Sequence, residues 1–107
     1  MTSETIYSIN PATEEVTGCF ELHSREQIEE ALEQASLAFD RWRKTSFPER
    51  ALLMQNAARC LRTHEDRHAR IITTEMGKPL VESRAEVEKC AWNCEYYAEN
   101  GERFLRK

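Results

Sequence analysis

Glycine and proline are scarce in this 107-residue sequence, with three residues of each. Gly18, Gly77 and Gly101 lie far apart, which excludes the glycine-rich turn that cradles a nucleotide phosphate. No apolar run approaches the roughly 20 residues that span a bilayer, and no export signal is recognisable at the N-terminus. We therefore expect no nucleotide bound to this chain, no membrane partner and a cytoplasmic location.

A surplus of positive charge is also absent, because the formal net charge is −4 and glutamates are interleaved with the basic residues. Such a surface repels phosphate backbones, so nucleic acid is not an expected partner.

The four cysteines, Cys19, Cys60, Cys90 and Cys94, include no C-x-x-C pair. We expect them to be reduced and to occupy small apolar core positions. Cys90 and Cys94 share one helix face and offer half a metal site, but no histidine lies near them in sequence, so packing is the favoured interpretation.

A β-hairpin is predicted for residues 1–23. Runs rich in β-branched and aromatic residues flank Asn10-Pro11-Ala12-Thr13, and Asn before Pro is a turn signal. A lone hairpin is marginal in water, so it should lie on another element.

About four helices are predicted for residues 24–107, the last of them long, which gives a mostly α-helical chain. The first two begin at capping boxes, at Ser24 and Ser46. The third is predicted to begin at a Thr63 cap and to end at Gly77, and the fourth runs from about Pro79 to the C-terminus. The apolar stripes comprise Ile28, Leu32, Ala35, Phe39 and Trp42 in the first helix, Leu52, Leu53, Asn56, Ala57, Cys60 and Leu61 in the second, Ala69, Ile72 and Met76 in the third, and Val81, Val87, Ala91, Cys94, Tyr97, Ala98 and Leu105 in the fourth.

The segment HEDRH, residues 64–68, matches the H-E-x-x-H spacing of zinc peptidases. Such sites need a buried helix interior, whereas this segment falls in a predicted first turn beside Arg62, Arg67 and Arg70, whose charges oppose a divalent cation. We interpret it as a surface helix start and assign no metal ligand, although a zinc hydrolase is the third functional alternative.

Several motifs, taken in order, resemble the N-terminal region of the aldehyde dehydrogenase superfamily over essentially all 107 residues. They are the turn Asn10-Pro11-Ala12-Thr13, the pair Ala38-Phe39 with Trp42, Pro48-Glu49-Arg50, the stop Glu75-Met76-Gly77-Lys78-Pro79, and the stretches Glu86 to Trp92 and Tyr96 to Glu99. The last two are similar to the long helix of its succinate-semialdehyde dehydrogenase branch. The family commonly has glycine where this chain has Glu14, which is strained if that position needs a positive φ.

The resemblance implies an enzyme that oxidises succinic semialdehyde, or a similar small aldehyde, with NAD or NADP as cofactor. It also implies a homo-oligomer and a helical layer that is part of a larger α/β fold. The family's nucleophilic cysteine, general-base glutamate, oxyanion asparagine and cofactor motifs lie beyond the matched region, so no catalytic or cofactor-binding residue is assigned. We expect this chain to need the remainder of a dehydrogenase chain as its partner and to lack activity alone.

Lys89, Trp92 and Asn93 are the candidate site residues, because the resemblance places the long helix beside the substrate entrance. A lysine there would suit an anionic semialdehyde, although ordinary solvated helix positions explain the same residues. A stand-alone helical interaction or assembly module is the second functional alternative. A piece of a larger fold should self-associate or expose a large apolar patch around Trp42 and the Val87 to Tyr97 stripe.

Overall fold

Four helices follow an N-terminal hairpin in the computed structural model, which describes residues 4–107. Strands β1 (Thr5–Ile9) and β2 (Val16–Glu21) pair antiparallel, with an irregular register between Ser8 and Ile9. Helices α1 (Arg25–Trp42), α2 (Phe47–Thr63), α3 (Glu65–Met76) and α4 (Leu80–Leu105) complete the chain. The predicted mostly α-helical class, the hairpin and the long last helix are therefore confirmed.

The hairpin turn is built by Asn10 and Glu14. The Asn10 side chain accepts a hydrogen bond from the Ala12 N–H at 2.9 Å, and the Asn10 carbonyl accepts one from the Glu14 N–H at 2.8 Å. Glu14 has a φ of 63°, the left-handed region in which glycine is favoured. The strain anticipated at this position is therefore present in the structure.

Local capping chemistry determines where α1 and α2 begin. Ser24 accepts from the Gln27 N–H while the Gln27 side chain accepts from the Ser24 N–H, and Ser46 with Glu49 repeats this capping box. The start predicted for α3 is wrong, because Thr63 is the last residue of α2 and His64 occupies the junction without a side-chain cap.

Gly77 ends α3 in the left-handed conformation, with a φ of 74°. An added Cβ at this position would lie 2.9 Å from Cγ of Pro11. The hairpin turn and the end of α3 therefore meet, and the hairpin rests on the helices as expected, although its strand residues Ile6 and Phe20 stay about half exposed.

Helix α4 is the spine on which α2 and α3 pack. The fully buried residues at this junction are small, which lets the helix axes approach closely. They are Ala58, Ala69, Ser83, Val87 and Ala91. The Ser83 hydroxyl shares a 2.9 Å hydrogen bond with Thr73, so this buried polar group is satisfied.

The predicted buried face of α2 is partly wrong. Ala58 is buried and Leu61 is half-buried, whereas Leu52, Leu53 and Cys60 are exposed, because these three lie on the side of α2 that turns away from α4. In α3, likewise, Met76 is 76% exposed. Helix α1 buries no residue at all.

The chain is far from spherical. Its radius of gyration is 18.3 Å, against about 13 Å for a compact domain of this length. Apolar side chains are exposed around Trp42, Trp92 and Tyr97, as the sequence predicts. Val87 is not part of this surface, because it is buried at the junction with α2 and α3. None of the helices among residues 4–107 is long and apolar enough to cross a membrane.

Candidate functional site

The outward face of α4 carries the three candidate site residues. Ser83, Val87 and Ala91 point into the helical junction, so the opposite side of α4 presents Lys89, Trp92 and Asn93 to solvent. The indole of Trp92 is 64% exposed. The structure thus brings the three residues together on one accessible surface, and their predicted role at a substrate entrance stays a prediction.

Two shallow depressions meet on this face at Asn93. The first, of about 580 Å³, is lined by charged and polar side chains and small residues, namely Lys78, Glu82, Ala85, Glu86, Lys89, Cys90 and Asn93. The second, of about 270 Å³, is aromatic and is lined by Trp92, Asn93, Tyr96 and Tyr97. A small ligand on this face would therefore meet an apolar wall on one side and charged groups on the other.

The two lysines of the first depression differ in their electrostatic state. Lys78 forms an ion pair with Glu86, and this hydrogen bond raises the pKa of the Lys78 ammonium. Lys89 makes no ion pair with any residue of the described range 4–107. Lys89 is therefore the cation of this depression that is available to an anionic ligand.

An ion network on the other side of α4 was missed by the sequence analysis. Arg62 of α2 donates to Glu88 at 3.1 Å and to Glu95 at 3.0 Å, so one guanidinium spans two turns of α4. The hydrogen bonds from Arg62 lower the pKa of the Glu95 carboxyl. The two glutamates are seven residues apart, which places them on one face of α4. This spacing was the feature of the sequence that could have predicted a shared ion-pair partner.

The HEDRH segment does not have the geometry of a zinc peptidase. His64 lies at the break between α2 and α3, with φ −111°, so the two histidines are not both within one helix. Asp66 accepts hydrogen bonds from Arg70 at 2.8 Å and Arg84 at 2.7 Å, and the bond from Arg70 is the main cause of the lowered pKa of Asp66. No group of three or more histidine, cysteine or acidic side chains suited to a metal occurs among residues 4–107.

The core position expected for the cysteines is wrong for most of them. All four are free thiols; Cys19, Cys60 and Cys90 are exposed and Cys94 is half-buried. Cys19, Cys60 and Cys90 lie away from the helical junction, whereas Cys94 shares the junction face of α4 with Val87 and Ala91.

A mainly apolar cleft of about 300 Å³ separates the α1–α2 turn from the end of α4. Arg50 organises its rim, donating to the Trp42 carbonyl at 3.0 Å and to the Thr45 hydroxyl at 2.8 Å while stacking 5.3 Å from the Trp42 ring centroid. Tyr97 and Leu105 form the opposite wall, so the cleft joins the exposed α1 surface to α4.

Comparison with known proteins gives consistent results. The family model described as "Aldehyde dehydrogenase family" matches residues 1–107. The chain is 40% identical over 99 residues to the succinate semialdehyde dehydrogenase [NAD(P)+] Sad of Escherichia coli K12, covering 92% of this chain and 21% of that protein. It is 39% identical over 100 residues to succinate-semialdehyde dehydrogenase [NADP(+)] 1 of Mycobacterium tuberculosis H37Rv, covering 94% and 22%.

A solved structure shows the same arrangement. The structure is similar to that of succinic semialdehyde dehydrogenase from Streptococcus pyogenes, which was determined in complex with NADP+. The TM-score is 0.86 at 35% identity, and the match covers 92% of this chain and 22% of the other. The chain thus spans about a fifth of the length of the relatives it matches, in their N-terminal part.

Proposed function

This chain belongs to the aldehyde dehydrogenase family, and we propose from this that it forms the N-terminal helical layer of an enzyme that oxidises succinic semialdehyde to the acid. The observation that carries the proposal is the match of all 107 residues to the family, together with about 40% identity to succinate-semialdehyde dehydrogenases. The proposed partner is the remainder of a dehydrogenase chain, the assembled enzyme being a cytoplasmic homo-oligomer.

The described residues do not fit the nicotinamide cofactor of these relatives. Gly18 lies in β2, Gly77 caps α3 against Pro11, and Gly101 lies inside α4, so residues 4–107 contain no glycine-rich turn that leads into a helix N-terminus. We therefore propose that NAD or NADP binds elsewhere in the assembled enzyme and that the 107-residue chain alone has no dehydrogenase activity.

The part proposed for this chain is recognition of the substrate at the entrance. Succinic semialdehyde carries a carboxylate, and Lys89 is the lysine of the first depression that forms no ion pair among residues 4–107. Trp92 and Asn93 beside it supply an apolar wall and an amide that hydrogen-bonds. A solvated charge pair is worth about 1 kcal/mol at 4 Å, which is about fivefold in affinity.

A chimaera tests the proposal directly. The homologous segment of the Escherichia coli relative would be replaced by residues 1–107, and formation of reduced cofactor from succinic semialdehyde would be followed for the chimaera and for the purified chain. We expect turnover from the chimaera and none from the chain alone. Turnover by the isolated chain, or a folded chimaera without activity, would contradict the proposal.

The entrance role of Lys89 has its own test in the same chimaera. Lys89→Met should raise KM about fivefold for succinic semialdehyde and leave KM unchanged for an uncharged aldehyde of similar length. Lys44→Met, a cation beyond the end of α1, serves as the matched control. Equal effects on both aldehydes would show that Lys89 is an ordinary helix position.

A second candidate function is favoured by the exposed stripe of α1, from Ile28 to Trp42. A stand-alone helical interaction module would use such a surface to bind a partner. The two candidates are separated by the chimaera, since an interaction module has no reason to restore dehydrogenase turnover.

A further inference from the structure

The acidic neighbours of Lys89 on α4 decide whether this lysine can serve an anionic ligand. Side chains three or four positions apart are neighbours on a helix surface. For Lys89 these neighbours are Ala85, Glu86, Trp92 and Asn93. Glu86 is the one carboxylate among the four, so it is the competitor, within α4, of any carboxylate that Lys89 is to bind.

Glu86 is held by Lys78 instead of by Lys89. Lys78 lies in the short connection between α3 and α4, and its ammonium donates to the Glu86 carboxylate across eight residues of sequence. The backbone on both sides of Lys78 is restricted, at Gly77 by the left-handed conformation and at Pro79 by the ring. The connection between the helices therefore positions the cation that occupies Glu86.

The charges of this depression are balanced only when Lys78 is present. Two lysines and two glutamates line it, so its net charge is zero and becomes −1 without Lys78. The second glutamate, Glu82, is seven residues from Lys89, or about 10 Å along the helix, against about 4.5 Å for Glu86. That distance exceeds the screening length of about 8 Å at physiological salt, so Glu86 is the carboxylate that matters most to Lys89.

We propose that Lys78 is a specificity-determining residue for the charge of the aldehyde: by holding Glu86, it keeps Lys89 free for the substrate carboxylate. Without Lys78, Glu86 would pair with Lys89 and would repel an anionic aldehyde. The inference rests on the entrance role proposed for Lys89 and deepens it. The Lys78–Glu86 pair joins two residues of this chain, and the chimaera tests its effect with the remainder of the enzyme in place.

Substituting the two partners of the ion pair separately tests the inference in the chimaera. Lys78→Met should raise KM for succinic semialdehyde about threefold and leave KM unchanged for an uncharged aldehyde of similar length. Glu86→Gln should raise neither KM, because it removes the competitor of the substrate carboxylate. Lys78→Met combined with Glu86→Gln should return KM to that of the unsubstituted chimaera. Lys44→Met is the control for the loss of one positive charge.

A role confined to holding the α3–α4 connection in place gives a different pattern. Loss of either partner would then break the same contact, so Lys78→Met and Glu86→Gln would affect both aldehydes alike. That result would overturn the inference, while a charge-selective effect of Lys89→Met would still support the entrance role. Equal effects of Lys89→Met on both aldehydes would overturn the entrance role and the inference together.

The purified 107-residue chain provides a readout that needs no turnover. Acetylation of the Lys89 amine by a neutral succinimidyl ester, measured by peptide mass spectrometry, reports how often this amine is deprotonated. Lys78→Met should slow this labelling about twofold, because a carboxylate that turns to an ammonium favours its charged form. Adding Glu86→Gln should restore the rate, and labelling of Lys107 should be the same in all variants.

The substitutions should leave the fold intact, since the side chains of Lys78 and Glu86 are 38% and 45% exposed, and circular dichroism verifies this. Labelling of Lys89 at one rate in every variant would overturn the inference.

Discussion

Replacing Gly77 by alanine should destabilise the chain, and the matching change at Gly101 should stabilise it. Gly77 combines a φ of 74° with the close approach of Pro11, whereas an added Cβ at Gly101 meets no atom within 4 Å. The two substitutions add the same methyl group. They are therefore expected to change the free energy of unfolding in opposite directions.

The magnitudes follow from the two environments. A left-handed conformation costs a residue with a Cβ about 1–2 kcal/mol, and moving Pro11 out of a 2.9 Å contact adds to that cost in Gly77→Ala. Gly101→Ala gains about 0.5–1 kcal/mol, because Gly101 lies inside a helix. The two variants should therefore differ by about 2–3 kcal/mol.

Urea unfolding followed by circular dichroism measures the difference at one fixed protein concentration, since association would alter the apparent stability. The midpoint of Gly77→Ala should fall by about 1 M. Adding Pro11→Ala to Gly77→Ala should recover the part of the lost stability that comes from the contact with Pro11. The coupling in the double-mutant cycle should be at least about 0.5 kcal/mol. A neutral Gly77→Ala, or equal losses in both glycine variants, would refute the reasoning.

Three further outcomes are expected in the same unfolding assay. Arg62 lowers the pKa of the Glu95 carboxyl from 4.5, so the ion pair stabilises the folded chain above pH 4.5 and this stabilisation is lost as the pH falls through the folded pKa. Arg62→Met should therefore flatten the acid dependence of the free energy of unfolding. An unchanged dependence would argue against the ion pair. Glu14→Gly should stabilise the chain by about 1 kcal/mol by relieving a φ of 63°, whereas Glu14→Ala should give no gain. Ala91→Leu should cost about 1–3 kcal/mol by overpacking a residue that is 0% exposed, while Ala85→Leu on the outer face of the same helix should be nearly neutral.

The ends of the helices were predictable from sequence because capping is local chemistry. Ser24 and Ser46 each satisfy a backbone N–H three residues away, and Gly77 supplies the left-handed residue that ends α3. The α2–α3 junction was not predictable by this route, since His64 joins the helices without a side-chain cap.

The buried face of α2 was less predictable because burial depends on distant residues. Large apolar residues indicated a face containing Leu52 and Leu53, but the partner helix presents Ala91 and Val87 and takes Ala58 instead. The same reason explains the exposed cysteines, whose burial was inferred from residue type alone. Burial inferred from residue type assumes that the covering surface lies within the chain, and for much of α1 and α2 it does not lie among residues 4–107.

The grouping of Lys89, Trp92 and Asn93 was predictable because one long helix carries all three. Their electrostatic difference from Lys78 was not, because the Lys78–Glu86 pair depends on how the chain turns between α3 and α4. The close approach of Pro11 to Gly77 was also not predictable, since these residues are 66 positions apart in the sequence.

The position of α4 as the spine has a consequence for synthesis on the ribosome. Helices α2 and α3 have their main packing partner in α4, which follows both of them in the sequence. Until α4 leaves the exit tunnel, the hairpin and the first three helices have little to pack against, and the stripe of α1 is open throughout. The packed faces of α2 and α3 therefore stay open during synthesis until α4 has been translated.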